Sequence, residues 1–224
     1  MVNYLSSLIF MNINFFLCVA FAYDPRPLQD MCVADFSKKP HGVDLLPLPC
    51  MDRAEVTADH FYSDALRKPG NTNNSFRATF TSLDSRQVPG SNTLGIVVAR
   101  LDAAPGGYYS FHAHPRASEL LIGVEGELEV GFVTPSNNYR VYKKTLQKGD
   151  VFYVPIGLLH YQRNPSRNTS MVAYSVLNSQ NPGLTSVSHA TFGPSPSIDS
   201  SYIVDAFRLD AHTVQRLQGM KDWV

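Results

Sequence analysis

Short runs of β-type residues, separated by turn residues, fill the chain between Ser75 and Val187. Turns such as Pro105-Gly106-Gly107 and Lys148-Gly149-Asp150 divide the runs, a spacing typical of a β-sandwich or β-barrel. We therefore predict an all-β domain. The predicted strands are Phe76–Phe80, Leu94–Leu101, Glu119–Gly123, Leu128–Val133, Arg140–Leu146, Val151–Val154, His160–Arg163 and Met171–Val176.

The size and charge of the chain limit what this domain can be. With 224 residues, 44% of them hydrophobic, the chain can bury one sizeable core but not the cores of two ordinary domains. Lys and Arg total 19 and Asp and Glu total 19, with no long run of one sign. Such a balance argues against nucleic acid as a partner.

The amino-terminal segment differs in composition from the rest of the chain. Leu5–Ala22 contains no charged side chain and ends in the small-x-small sequence Ala20-Phe21-Ala22. We interpret residues 1–22 as a signal peptide that is cleaved after Ala22, and we predict a secreted protein. The alternative is a transmembrane anchor, because about 18 apolar residues can just span a bilayer. Polar residues such as Asn12 and Asn14 weigh against it.

Removal of this leader leaves two cysteines, Cys32 and Cys50. In an oxidising compartment we expect them to form a disulfide, worth about 3 kcal/mol for a loop of this size; the alternative is two buried free thiols. Sequons at Asn73 and Asn168 predict glycosylation in the same compartment.

We divide the remaining chain into an irregular, disulfide-tied arm at residues 23–60 and a main domain at residues 61–224. A helical stretch is predicted near Arg53–Leu66. Two short amphipathic stretches near the carboxyl terminus, Tyr202–Leu209 and Ala211–Leu217, predict helices. Another subunit is a candidate packing partner for these two helices.

Three histidines and one glutamate form the pattern that carries chemistry. His112 and His114 are two residues apart in an extended stretch, so both imidazoles point to the same face. Pro115 ends the strand, and Glu119 then opens the next one and can return an oxygen ligand to the same place. A third imidazole, His160, follows a Pro-x-Gly turn.

Three neutral imidazoles and one carboxylate around a divalent ion leave a net charge of about +1 and open positions if the ion is octahedral. This donor set suits Mn or Fe, and Zn could also take it as a closed tetrahedron. For the histidines outside the pattern we expect structural or surface roles; they are His41, His60, His189 and His212.

Both stretches resemble the two cupin motifs in the form found in germins and germin-like proteins of plants. The first motif is carried by Gly106, His112, His114, Glu119 and Gly126, and the second by Gly149, Pro155, Gly157, His160 and Asn164. Further similarity lies at residues 27–35, 90–95 and 178–183. The resemblance thus covers essentially the whole chain after the leader.

The resemblance implies a jelly-roll β-barrel with one manganese ion on the four motif residues, a disulfide-tied amino-terminal arm and short carboxyl-terminal helices. It further implies a homohexamer, built as a trimer of dimers, in the apoplast and cell wall. The oxalate oxidases that resemble this chain carry Asn at two pocket positions that align with Ala99 and Tyr109. Neither Ala nor Tyr reproduces the hydrogen bonds of those amides, so we do not expect oxalate oxidase activity.

Two functions from different classes follow. The first is a manganese superoxide dismutase with a role in defence or stress, whose ligands are oriented by further groups such as Asn164. The second is a non-enzymatic wall or receptor module that binds a small ligand or a protein partner; oxalate oxidation remains a further alternative. Activity that disappears with the metal favours an enzyme, whereas partner binding that survives metal removal favours the module.

Overall fold

The computed structural model describes residues 29–38, 47–135, 139–220 and 222. The predicted signal peptide, residues 1–22, lies outside these ranges, as does the start of the predicted arm. By their contacts, residues 31–224 belong to one unit. Its strands are β1 (Ala78–Leu83), β2 (Val97–Ala103), β3 (Tyr108–Ala113), β4 (Glu119–Glu125), β5 (Leu128–Val133), β6 (Val141–Leu146), β7 (Val151–Val154), β8 (Leu159–Arg163), β9 (Met171–Leu177) and β10 (Thr185–Ser186).

These strands form two five-stranded sheets in which neighbours pair antiparallel. One sheet has the order β1-β2-β9-β4-β7 and the other β10-β3-β8-β5-β6. Two pairs of consecutive strands, β1–β2 and β5–β6, lie in the same sheet, whereas the other consecutive strands, such as β3 and β4, lie in opposite sheets. Crossing between two packed antiparallel sheets is the arrangement of a jelly roll, so the predicted all-β barrel is confirmed.

The core lies between the sheets because successive side chains of a strand point to opposite faces. In β5, Leu128 and Val130 are buried, whereas Glu129 between them faces outward and pairs with Arg163. The core cluster draws on both sheets and consists of Ala78, Leu101, Ala103, Tyr109, Leu121, Leu128, Val130, Leu146, Val154, Met171 and Ala173.

The first strand begins later than predicted. The sequence pattern predicts a strand at Phe76–Phe80, but β1 starts at Ala78. Arg77 has a φ of 55°, in the left-handed region, and the side chain of Asn74 accepts a hydrogen bond from the backbone of Phe76. These features form a turn that delays the strand. Strand β10 was not predicted, and β3 was predicted only as the extended stretch that carries His112 and His114.

The predicted disulfide between Cys32 and Cys50 is present, with an S–S distance of 2.01 Å. A backbone bridge between Ala34 and Cys50 reinforces it. The buried amide of Asn92 then joins this region to the segment before β2: its Nδ2 donates to Leu48 O at 2.8 Å, and its Oδ1 accepts from Leu48 N at 3.1 Å. The amino-terminal region is thus held by covalent and polar contacts.

The helical stretch predicted near Arg53–Leu66 is not one helix. It consists of separate 3₁₀ turns at Arg53–Glu55, Ala58–Phe61 and Ala65–Arg67. Side chains in this stretch bond nearby backbone groups, as Asp52 Oδ1 does with Ala54 N at 2.9 Å. Such local bonds compete with the continuous ladder of an α-helix.

Both predicted carboxyl-terminal helices are present, and a further helix precedes them. The helices are α1 (Val187–Phe192), α2 (Ser200–Phe207) and α3 (Ala211–Gln218). Asp199 and Asp210 cap α2 and α3 through their carboxylates, which satisfies backbone amides that would otherwise lack partners. Among the residues that the structure describes, no helix is long and apolar enough to cross a membrane.

Candidate metal centre

The four residues of the sequence pattern come from both sheets. His112 in β3 pairs directly with His160 in β8. Glu119, the first residue of β4, belongs to the opposite sheet, where it pairs with Val154 and Leu177. His114 follows β3, which ends at Ala113. The crossing from β3 to β4 therefore carries ligands from one sheet to the other.

The four side chains converge in the barrel interior. One potential ligand atom from each of them lies within 4.8 Å of those of the other three. The closest imidazoles are His112 and His160, whose ring centroids are 4.1 Å apart. Carboxylate Oε2 of Glu119 lies 3.0 Å from His160 Nε2 and 3.8 Å from His114 Nε2. Glu119 and His160 are only 2% and 1% exposed, so bulk water cannot readily supply hydrogen bonds to their polar atoms.

Each imidazole is oriented through its Nδ1 by a backbone carbonyl. His112 Nδ1 lies 2.7 Å from Ser110 O, and His160 Nδ1 lies 2.8 Å from Leu158 O. His114 Nδ1 lies 2.7 Å from Gly183 O. A carbonyl can only accept, so each Nδ1 carries the proton and each Nε2 keeps a lone pair directed into the cluster. Metal-binding histidines use the same arrangement.

Glu119 is held by two further side chains. Ser175 Oγ donates to its Oε1 at 2.5 Å, and Gln162 Nε2 donates to its Oε2 at 3.3 Å. Burial opposes ionisation of Glu119, but the contact with His160 and the bond from Ser175 outweigh it. The pKa of Glu119 is therefore lowered, and the group is a carboxylate at neutral pH.

His112 and His114 resist protonation. Burial, followed by the charge of His160, lowers the pKa of His112 to about 4. Burial likewise lowers the pKa of His114. Neutral imidazoles and an ionised carboxylate are the protonation states that a bound cation requires.

The cluster fits a metal ion. His114 Nε2 and His160 Nε2 are buried and have no hydrogen-bond partner among the described residues. Buried acceptors without a donor are costly, and His160 Nε2 also faces a carboxylate oxygen at 3.0 Å. A cation at the centre would satisfy these atoms together. Fold and site thus define a class of protein: a jelly-roll barrel with a buried His/Glu site that could bind a metal.

A cavity of about 360 Å³ adjoins this site and includes His112 and His114 in its wall. Its other lining residues are Phe80, Ser82, Asp84, Arg86, Val97, Tyr109, Gln162, Leu177, Gln180, Asn181, Pro182, Gly183 and Leu184. The hydroxyl of Tyr109 bonds backbone carbonyls, at 2.5 Å from Thr79 O and 3.1 Å from Asp102 O. The ring of Tyr109 thus offers the cavity mainly apolar surface.

The other residues singled out in the sequence lie apart from the ligand cluster. Within the described residues, the side-chain bonds of Asn164 go to backbone groups, including Ala103 O and Thr169 O; its ligand-orienting role stays a prediction. Asn73 and Asn168, the predicted glycosylation sites, are exposed.

The sequence analysis missed three side-chain or long-range groups that contact the cluster, namely Gln162, Ser175 and the carbonyl of Gly183. Gln162 lies two residues after His160 in β8, so strand periodicity could have placed it on the same face. Ser175 is a buried polar residue in the otherwise apolar β9, which is a weak signal. No sequence pattern points to the carbonyl of Gly183.

Comparison with known proteins places this architecture in a family. The family model described as cupin matches residues 64–215. Germin-like protein 8-9 of Oryza sativa subsp. japonica is 44% identical over 199 residues, which cover 89% of this chain and 88% of that protein. Germin-like protein subfamily 1 member 17 of Arabidopsis thaliana is 42% identical over 213 residues, covering 95% of this chain and 96% of that protein.

A solved structure agrees with these sequence matches. Recombinant oxalate oxidase in complex with glycolate superposes with a TM-score of 0.81 at 36% identity, covering 88% of this chain and 96% of that chain. This chain therefore belongs to the germin-like proteins of the cupin family.

Proposed function

We propose that this chain is a secreted manganese-binding germin-like protein with superoxide dismutase activity and a role in defence or stress. The observation that carries the proposal is the buried convergence of His112, His114, Glu119 and His160, with Nε2 lone pairs and a carboxylate directed at one point. Nitrogen and carboxylate donors with room for further ligands suit Mn.

A redox-active ion at this site would supply one-electron steps that convert two superoxide anions and two protons into dioxygen and hydrogen peroxide. The chain's own contribution is to orient its three imidazoles and to lower the pKa of His112 and His114. Ser175 and Gln162 hold the carboxylate of Glu119. The adjoining cavity gives a small molecule access to the side of the cluster where His112 and His114 lie.

The test is the superoxide dismutation rate of the purified protein, normalised to bound manganese. His112→Ala should abolish the rate because it removes an inward-facing ligand, whereas His212→Ala, at an exposed helix position, should leave it unchanged. A rate no better than that of aqueous Mn, at about one Mn per chain, would refute the dismutase assignment while the metal site would still stand.

We further propose that the chain lacks oxalate oxidase activity. The family resemblance aligns Ala99 and Tyr109 with two Asn residues of the oxalate oxidases. Tyr109 lines the cavity, and its hydroxyl is already bonded to backbone carbonyls. Neither Ala nor Tyr carries the amide that could bond a dicarboxylate. Oxalate-dependent hydrogen peroxide production by the manganese-loaded protein would contradict this.

Secretion to the apoplast or cell wall is supported by the disulfide, which forms in oxidising compartments, and by two exposed sequons. Assembly as a homohexamer is supported by apolar surface on β7, where Val151 and Tyr153 are 52% and 67% exposed. Exposed apolar patches mark interaction sites. Light scattering of the secreted protein tests the assembly, since a hexamer has six times the monomer mass.

The cavity favours a second candidate function. At about 360 Å³ it is larger than superoxide needs, and its size is that of a small-ligand pocket. In this alternative, the chain is a non-enzymatic wall or receptor module that binds a small ligand or protein partner. Binding of the same partner before and after chelation of the metal, with no dismutase activity, would favour it.

A further inference from the structure

We propose that Arg116 is a positioning residue that sets the orientation of His114 by holding the Asn181–Gly183 segment. This inference builds on the proposed function, because it assumes that His114 is a metal ligand. Arg116 itself is exposed, and it acts on the cluster through backbone that it holds in place.

The three imidazoles differ in how their Nδ1 atoms are held. For His112 and His160, the carbonyl partner lies two residues earlier in the chain. The geometry of each of these two rings is therefore fixed by the chain immediately before it. His114 instead depends on Gly183 O, which is 69 residues away in sequence. Its orientation is therefore set by whatever holds the segment that contains Gly183.

Arg116 makes three hydrogen bonds to this segment. Its Nε donates to Asn181 O at 2.7 Å and its Nη2 to Asn181 Oδ1 at 2.9 Å. Its backbone amide donates to Pro182 O at 3.0 Å. A planar guanidinium that makes two parallel bonds fixes both position and direction. The next carbonyl along the chain is that of Gly183, which meets His114.

Close packing makes the arrangement sensitive to displacement. Gly183 has a φ of 69°, and a methyl group at this position would lie 2.8 Å from Arg116 Nη2 and 2.9 Å from Pro115 Cγ. The backbone of Gly183 therefore abuts the guanidinium with no side chain between them. Loss of the guanidinium removes two hydrogen bonds and a packing surface together, which frees the carbonyl to move away from His114.

The metal affinity of Arg116→Ala tests the proposal, with Mn(II) as the probe in a competitive chelator titration of the secreted protein. Loss of an outer group that orients a ligand typically weakens metal binding about 10–100-fold. We expect about a tenfold increase in Kd, because one of the three imidazoles is affected. Arg163→Ala is the matched control: this exposed arginine also makes two side-chain bonds, both to Glu129, and its Kd should change less than twofold.

A spectroscopic readout separates positioning from general destabilisation. Pulsed EPR of the Mn(II)-loaded protein resolves couplings to imidazole nitrogens. One coupling should change or disappear in Arg116→Ala and remain in Arg163→Ala. Arg116→Lys should restore part of the affinity, because a lysine can donate to Asn181 but not along two parallel directions. If Arg116→Ala does not fold, Arg116→Lys and Asn181→Ala decide the question with the same measurements.

The outcomes distinguish this inference from the proposed function. Unchanged Kd and nitrogen couplings in the Arg116 variants would refute the role of Arg116 even in an active dismutase. A wild type without dismutase activity, but with the expected loss of affinity in Arg116→Ala, would refute the proposed function and leave the role of Arg116 intact. If the wild type does not bind Mn(II), the same titrations with Zn(II), which accepts this donor set, decide by the change in Kd.

Discussion

Replacing Ser175 with alanine should destabilise the metal-free protein. Ser175 is fully buried, and its hydroxyl donates to Glu119 Oε1 at 2.5 Å. The substitution removes the hydroxyl, so Glu119 Oε1 loses a charge-assisted hydrogen bond in a buried position. Gln162 bonds the other carboxylate oxygen, at 3.3 Å, and does not replace the lost donor.

The expected magnitude follows from the charge of the acceptor. A hydrogen bond to a charged group contributes about 1.5–3 kcal/mol, so the free energy of unfolding should fall by about 2 kcal/mol. For a chain of this size the melting temperature should fall by about 4–8 °C. Because the bond favours the ionised form of Glu119, the difference should be fully present above the unfolded pKa of 4.5 and should shrink as the pH falls through the lower folded pKa.

The assay is denaturant unfolding of chelator-treated protein at one protein concentration, at pH 7 and again near pH 4. Ser85→Ala is the matched control: Ser85 is also buried, at 1% exposure, but its hydroxyl has no hydrogen-bond partner among the described residues. That control should be neutral or slightly stabilising. Equal losses of stability in the two variants, or a Ser175→Ala loss that grows towards acid pH, would refute the reasoning.

Three further predictions concern pH, the disulfide and glycans. The imidazole of His112 takes up a proton near pH 6.5 in the unfolded chain but only near pH 4 in the folded one. The free energy of unfolding of the metal-free protein should therefore fall by up to about 3 kcal/mol as the pH is lowered from 6.5 to 4. A free energy that does not change over this range would contradict the prediction. Reducing Cys32–Cys50, separated by 18 residues, should cost about 3 kcal/mol in thermal or denaturant unfolding. Asn73→Gln and Asn168→Gln should each remove one glycan mass from the secreted protein, and unchanged mass would exclude that site.

Strand periodicity and turn residues predicted most of the barrel because its inward and outward side chains alternate clearly. They failed where local hydrogen bonds override the pattern. Residues 53–67 look helical in sequence but form separate 3₁₀ turns, and the left-handed Arg77 delays β1. The two-residue β10 pairs with Ala113 and His112, and such a short element has too few residues to show a period.

The ligand cluster was predictable because three of its four members, His112, His114 and Glu119, lie within eight residues, and His160 follows a recognisable turn. The groups that orient these ligands were harder to predict from the sequence. Gln162 could have been found from its spacing to His160. The carbonyl of Gly183 has no residue-type signal at all, because any residue carries one.

The register of β3 and β8 bears on protein design. His112 and His160 face each other across these paired strands, and the ring of each is held by a carbonyl two residues earlier in the chain. Two antiparallel strands could therefore be transplanted into an unrelated barrel with both rings already aimed. His114 would not survive such a graft, since its carbonyl comes from 69 residues away, and Glu119 belongs to the opposite sheet. The smallest part of this centre that could be transferred is therefore a pair of strands with two ligands. The recipient protein would have to supply the other two ligands.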